Sequence, residues 1–202
     1  MTLLNLRSKM HDDVDASMME PPRYYDKIIS LSKSRVIFLN EVFTQEVSAA
    51  LSSLLIYYDN QSQEDEIIIY INSDGGEEAA LVHIYDVMQM ISAPVSTVCL
   101  GKAYSAGAFI LAAGSKGRRH ILPHAKVMIH GIQCAFPIMG ESDMTGSENY
   151  FNFLTNRNDM VLKLLAKHTG KRFEEVKLDC TRDVFLTAEE AKEYGIIDEI
   201  LY

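Results

Sequence analysis

Apolar residues recur along this 202-residue chain with two periods that alternate, one suited to strands and one to helices. "EIIIYINS", residues 66–73, is a nearly continuous β-branched run and predicts a strand buried on both faces, broken by the "DGG" that follows. "RVIFLN" (35–40), "APVSTVCLG" (93–101), "RRHILP" and "KVMIH" are further strand candidates, with the second of these ending at Gly101. Helical spacing appears over residues 43–58 (Val47, Leu51, Leu54, Leu55) and over 77–91 (Leu81, Ile84, Tyr85, Met88). It returns in "SAGAFILAAG" and, at greatest length, over 148–168, where "HTG" lets Gly170 take the left-handed cap conformation. Thr187 precedes Glu190 by three residues, a capping box for a last helix in "FLTAEEAKEYGIIDEIL". Strand and helix in regular succession predict an α/β domain with parallel pairing and crossover helices. Tyr25, Ile28, Ile29 and Leu31 suit a short helix over 24–32, whereas the first twenty residues mix charge and methionine without a period and end at the helix-breaking "EPPR". The chain thus reads as a flexible arm over 1–22 and a single domain over 23–202.

Composition narrows the class. A hydrophobic content of 48% over this length supplies a substantial core. A net charge of -9, with no long block of Lys or Arg, argues against a nucleic-acid protein. Cys99, Cys134 and Cys180 are odd in number and widely spaced, so neither a disulfide framework nor a metal-binding CxxC is indicated; they read as packing residues in a reducing compartment. The N-terminus lacks a secretory apolar core, and stretches such as "AGAFILAAG" are too short to span a bilayer, so no membrane role and a cytoplasmic location are expected.

Candidate chemistry gathers at strand ends. In "GKAYSAGAFILAAG", residues 101–114, Ser105 stands where a strand would turn into a helix, at the carboxyl end of a parallel strand where open α/β sheets place ligands. The motif is not the G-x-S-x-G elbow, because position 103 is Ala, so an α/β-hydrolase is disfavoured. His130 ends "AKVMIH" 25 residues later and is a candidate base, although a strand-end histidine also serves simply to cap a loop. Gly75 and Gly76 follow a buried strand and open a helix; they form either a plain tight turn or a pair of exposed N–H groups suited to an oxyanion. Asp179 and Asp183, in "LDCTRDVF", are equal candidates for the acid that would orient the base.

Taken together, "YINSDGG", "GKAYSAGAFILAAG", "KVMIH" and "TRDVFLTAEEAKEYGIIDEI", in this order and spacing, resemble the ClpP serine peptidases from about Tyr25 to the C-terminus. The resemblance implies a crotonase/ClpP-like α/β spiral with a parallel sheet and a protruding strand-helix handle, here about 131–168. It implies Ser105 as nucleophile, His130 as base and Asp183 as the orienting acid, with the N–H groups of Gly76 and Ala106 as oxyanion hole. Alanine follows the serine where most members carry Met, and supplies the same backbone donor. The implied assembly is a homo-oligomer of two stacked heptameric rings that degrades unfolded polypeptides delivered by an AAA+ Clp unfoldase, which uses the ATP; this chain needs no cofactor or metal. "SDGG" replaces the usual "SPGG", and the proline soon after the base histidine is absent. Arg182 corresponds to a ring-contact arginine, but Thr181 stands where its acidic neighbour is usual, so its partner is expected in "GESD" (140–143). The arm does not match the family's axial loops. Two rivals are a noncatalytic subunit of a mixed ring, disfavoured because all three triad residues are present, and a crotonase-type acyl-CoA enzyme, disfavoured by the Ser/His/Asp order.

Overall fold

The computed structural model describes residues 34–133 and 144–202. The arm over 1–22, the helix expected over 24–32, Cys134 and the "GESD" segment lie outside the described residues. Within them the order is β1 (Val36–Leu39), α1 (Gln45–Gln61), β2 (Ile67–Ser73), α2 (Glu78–Met90), β3 (Val95–Tyr104), α3 (Ala106–Ala112), β4 (Arg119–Ile121), β5 (Lys126–Ile129), α4 (Met144–Thr169), α5 (Phe173–Asp179), β6 (Val184–Leu186), α6 (Ala188–Tyr194) and β7 (Glu199–Ile200). The sheet runs β1-β2-β3-β4-β7, all parallel, and β5 leaves this path by pairing with β3. Only β6 runs antiparallel, against β5. The α/β class and crossover connections expected from the chain's periodicity are therefore present.

Two expectations are corrected. β2 is not buried on both faces: Ile67, Ile69 and Ile71 are fully buried, but Ile68 and Tyr70 are only half-covered, with Tyr70 stacked on Phe38. The β-branched run reflects propensity on both faces, whereas only one of them meets the core of this chain. Nor does β3 end at Gly101. Its first half pairs with β4 through Thr97–Cys99, and its last residues, Lys102–Tyr104, change partner to β5. The glycine sits inside the strand at that change, where a Cβ would lie 2.8 Å from Asn72 Oδ1.

The helix ends follow their local signals. Thr44 caps α1 by accepting from the Val47 N–H, Thr187 and Glu190 form the reciprocal capping box on α6, and Gly170 takes φ 77° just past α4. Cys99 and Cys180 are buried free thiols, and burial pushes each up to about 12, which keeps them protonated and inert.

A buried arginine ties these elements together behind the site. Arg119 pairs with Asp198 at 2.6 Å and donates to the carbonyls of Ala112, His168 and Gly195, the ends of α3, α4 and α6. Burial alone would raise the Asp198 carboxyl, but the Arg119 guanidinium and the N–H groups of Arg119 and Gly117 outweigh it and hold the carboxyl below its usual range. Arg119→Met should cost about 3–5 kcal/mol, because it leaves Asp198 and three carbonyls without their donor. Urea unfolding monitored by circular dichroism checks this. The carboxylate's share of wild-type stability is present at neutral pH and lost as the pH falls through its depressed folded value.

Candidate functional site

The last strand residues of β3 and β5 lie side by side, so the residues that follow them emerge at the same sheet edge. Ser105 follows β3 and His130 follows β5. Ser105 adopts φ 52°, ψ -124°, a conformation that costs a non-glycine residue on the order of 1–3 kcal/mol. It is held there by its own N–H, which donates to Met128 O at 2.8 Å, and by its carbonyl, which starts the α3 ladder through Ala108. The sharp turn projects the hydroxyl away from the sheet, and His130 Nε2 meets Ser105 Oγ at 2.7 Å.

The glycine pair is fixed by the same elbow. Gly75 (φ 94°) passes so close that a Cβ there would lie 2.7 Å from Ser105 Cβ. At Gly76 (φ 150°) a Cβ would lie 2.4 Å from Phe43 O. Phe43 holds both sides of Gly76 by backbone bonds to Gly75 O and from the Glu77 N–H, a short bridge that leaves the Gly76 amide unused. Among the described residues nothing accepts from the N–H of Gly76 or of Ala106. Both residues border the cleft of about 430 Å³ that also contains Ser105, His130 and Asp183.

The two aspartates part company. Asp183 Oδ1 lies 3.4 Å from His130 Nδ1, within ion-pair range but without a hydrogen bond, and the buried Nδ1 has no other partner among the described residues. The same Oδ1 accepts from Gln133 Nε2 at 3.3 Å. Asp179 instead accepts from the Tyr194 hydroxyl at 2.9 Å, and burial followed by this hydrogen bond pushes the phenol well above its usual range. Asp179 is thus engaged by Tyr194, and of the two aspartates only Asp183 faces the imidazole.

Two residues enter the site without a sequence signal. Gln133 restrains Asp183, and Asn158 of α4 accepts from the Ile132 N–H at 2.8 Å, while Gly131 donates to Cys180 O, so the segment after His130 is laid along the cleft. Their partners are distant in the chain, and no local pattern points to them. Arg182 is exposed and makes no ion pair with a described residue. His168, a histidine without context in the sequence, bonds the Tyr85 hydroxyl at 3.0 Å and is held neutral, its pKa lowered to about 4 by burial, then by Lys167 and Arg119.

Among the described residues no group of His, Cys, Asp and Glu side chains is placed to hold a metal, and no helix is long and apolar enough to cross a membrane. The arrangement can place a hydroxyl, an imidazole and two unengaged backbone donors around one reacting carbonyl. A sequence model of the Clp protease family matches residues 19–202.

Proposed function

Because the chain belongs to the Clp protease family, we propose that it is a serine endopeptidase, the proteolytic subunit of an ATP-dependent Clp protease, with Ser105, His130 and Asp183 as its triad. The observation that carries this reading is the 2.7 Å contact of His130 Nε2 with the hydroxyl of a strained Ser105, beside the unengaged amides of Gly76 and Ala106.

In this mechanism His130 Nε2 takes the proton of Ser105 as Oγ attacks a peptide carbonyl, and the carbonyl oxygen becomes an oxyanion held by the Gly76 and Ala106 N–H groups. His130 then returns the proton to the leaving amine, the C–N bond breaks and an acyl-enzyme remains. Water, deprotonated by the same imidazole, releases the acid and restores Ser105. Asp183 orients the imidazole with its Nδ1–H inward and stabilises the imidazolium. The substrates are unfolded polypeptides within a chamber of two stacked heptameric rings, fed by an AAA+ unfoldase that hydrolyses the ATP in a cytoplasmic compartment. Arg182 makes the ring contact.

The long His130–Asp183 distance favours one second reading, a structural subunit of a mixed ring whose triad does not engage. A fluorophosphonate probe separates the two: Ser105 Oγ bonds to phosphorus, fluoride leaves and His130 takes the proton. Mass spectrometry of the assembled protein should find the adduct on Ser105 and none after heat denaturation. A folded ring that does not label would leave the structural-subunit reading in its place.

A further inference from the structure

Among the described residues, the cleft beside Ser105 is lined by four carboxylates, those of Asp74, Glu77, Glu78 and Asp183, and by no lysine or arginine. Two of the four are neutralised from behind. Lys102 binds both oxygens of Asp74 at 2.6 Å, and the Arg157 guanidinium of α4 sits on Glu78 at 2.5 Å. Glu77 is exposed and forms no ion pair with a described residue, and among the described residues Asp183 has only the imidazole and the Gln133 amide as polar partners. Counted over the described residues, the cleft therefore keeps about two uncompensated negative charges, and its walls focus their field on whatever enters.

Geometry sets where that field acts. Glu77 follows Gly76 directly, so its Cα lies one step of about 3.8 Å from the Cα of the residue that would hold the oxyanion. Glu77 lines the same cleft as Ser105, so its carboxylate borders the path of a polypeptide seated there. Leu81, Phe109 and Val161, all buried, back the same cleft with apolar side chains. The Arg157–Glu78 pair is an internal instance of the contact, a guanidinium seated on a carboxylate at this wall.

We infer that this site selects polypeptides carrying lysine or arginine beside the scissile bond, and that Glu77 is the specificity-determining residue. The inference rests on the serine-peptidase reading above. Glu77 suits the role because its side chain makes no capping bond at the start of α2, so its charge is not committed to the fold.

The experiment uses the assembled full chain and three internally quenched peptides, identical except for Lys, Gln or Glu on both sides of a central leucine. The expected order of kcat/KM is Lys, Gln, Glu, with about tenfold between successive peptides at low ionic strength and a narrower spread at high salt. Glu77→Lys should bring all three to within about threefold of one another, because the added cation offsets Asp183. Glu193→Lys, which makes the same change of net charge on the exposed face of α6, should leave the wild-type spread in place. Equal cleavage of the three peptides by a wild-type protein whose Ser105 labels would overturn the charge selection and spare the peptidase. Equal collapse of the spread in both variants would overturn the role of Glu77. No cleavage together with no labelling would remove the peptidase reading and this inference with it.

Discussion

Ser105→Ala is expected to lower kcat for peptide hydrolysis by on the order of a millionfold while leaving the fold and its thermal transition within a degree or two of wild type. The size of the loss follows from the division of labour at the site. Without Oγ no acyl-enzyme can form, and what remains is binding and the two amide donors acting on an adventitious water. The small structural effect follows from the elbow. Alanine keeps the Cβ, so the residue stays in the same φ 52° conformation, packed as before against Gly75 and held by the Ser105 N–H to Met128 O bond. The hydroxyl's described partner is His130 Nε2, which the cleft can solvate once Oγ is gone. Rates on a quenched peptide, read beside a thermal melt and the sedimentation of the assembly, test both halves. Residual hydrolysis above about a hundredth of wild type would mean that another group is the nucleophile.

The positions of Ser105 and His130 were readable because both lie at ends of strands whose apolar runs are strong, and strand ends of a parallel sheet converge on one edge. Their contact depends on β3 changing partners at Gly101, which the sequence disguised: a glycine after an apolar run looks like a terminus, but here it admits Asn72 and lets the strand continue to Tyr104. The glycine pair was readable as a turn with spare amides, yet the need for it comes from Phe43, 32 residues upstream of Gly75, whose backbone no side chain at Gly76 could pass. α5, β6 and β7 span 7, 3 and 2 residues, too short for periodicity to register, and they are fixed by what they pack on. Residue type and spacing likewise left Asp179 and Asp183 equivalent. They differ in tertiary partners alone: Tyr194 comes from α6 to one, and His130 from β5 to the other.

That separation yields the second large effect. Asp183→Ala should reduce kcat/KM by about 10⁴-fold, and Asp179→Ala by less than tenfold. The His130–Asp183 distance of 3.4 Å is roughly 0.5 Å beyond an ordinary N–H···O bond. Asp183 lies in an exposed turn between α5 and β6, where Gln133 is its other described restraint, so a small rotation of the carboxylate suffices to close the gap. Removing the carboxylate leaves Nδ1–H without an acceptor, and the tautomer with Nε2 free to accept from Ser105 loses its advantage. Asp179 cannot take over, because its oxygen is held by the Tyr194 hydroxyl and it makes no hydrogen bond or ion pair with His130. Its own loss should appear as stability, about 1 kcal/mol for the lost hydrogen bond to the half-buried Tyr194 hydroxyl, in a urea titration rather than in the rate. If Asp179→Ala proved the more damaging to kcat/KM, with both variants folded, the carboxylate facing His130 would not be the one that orients it. The 3.4 Å contact would then be a neighbour's accident rather than a hydrogen bond waiting to close.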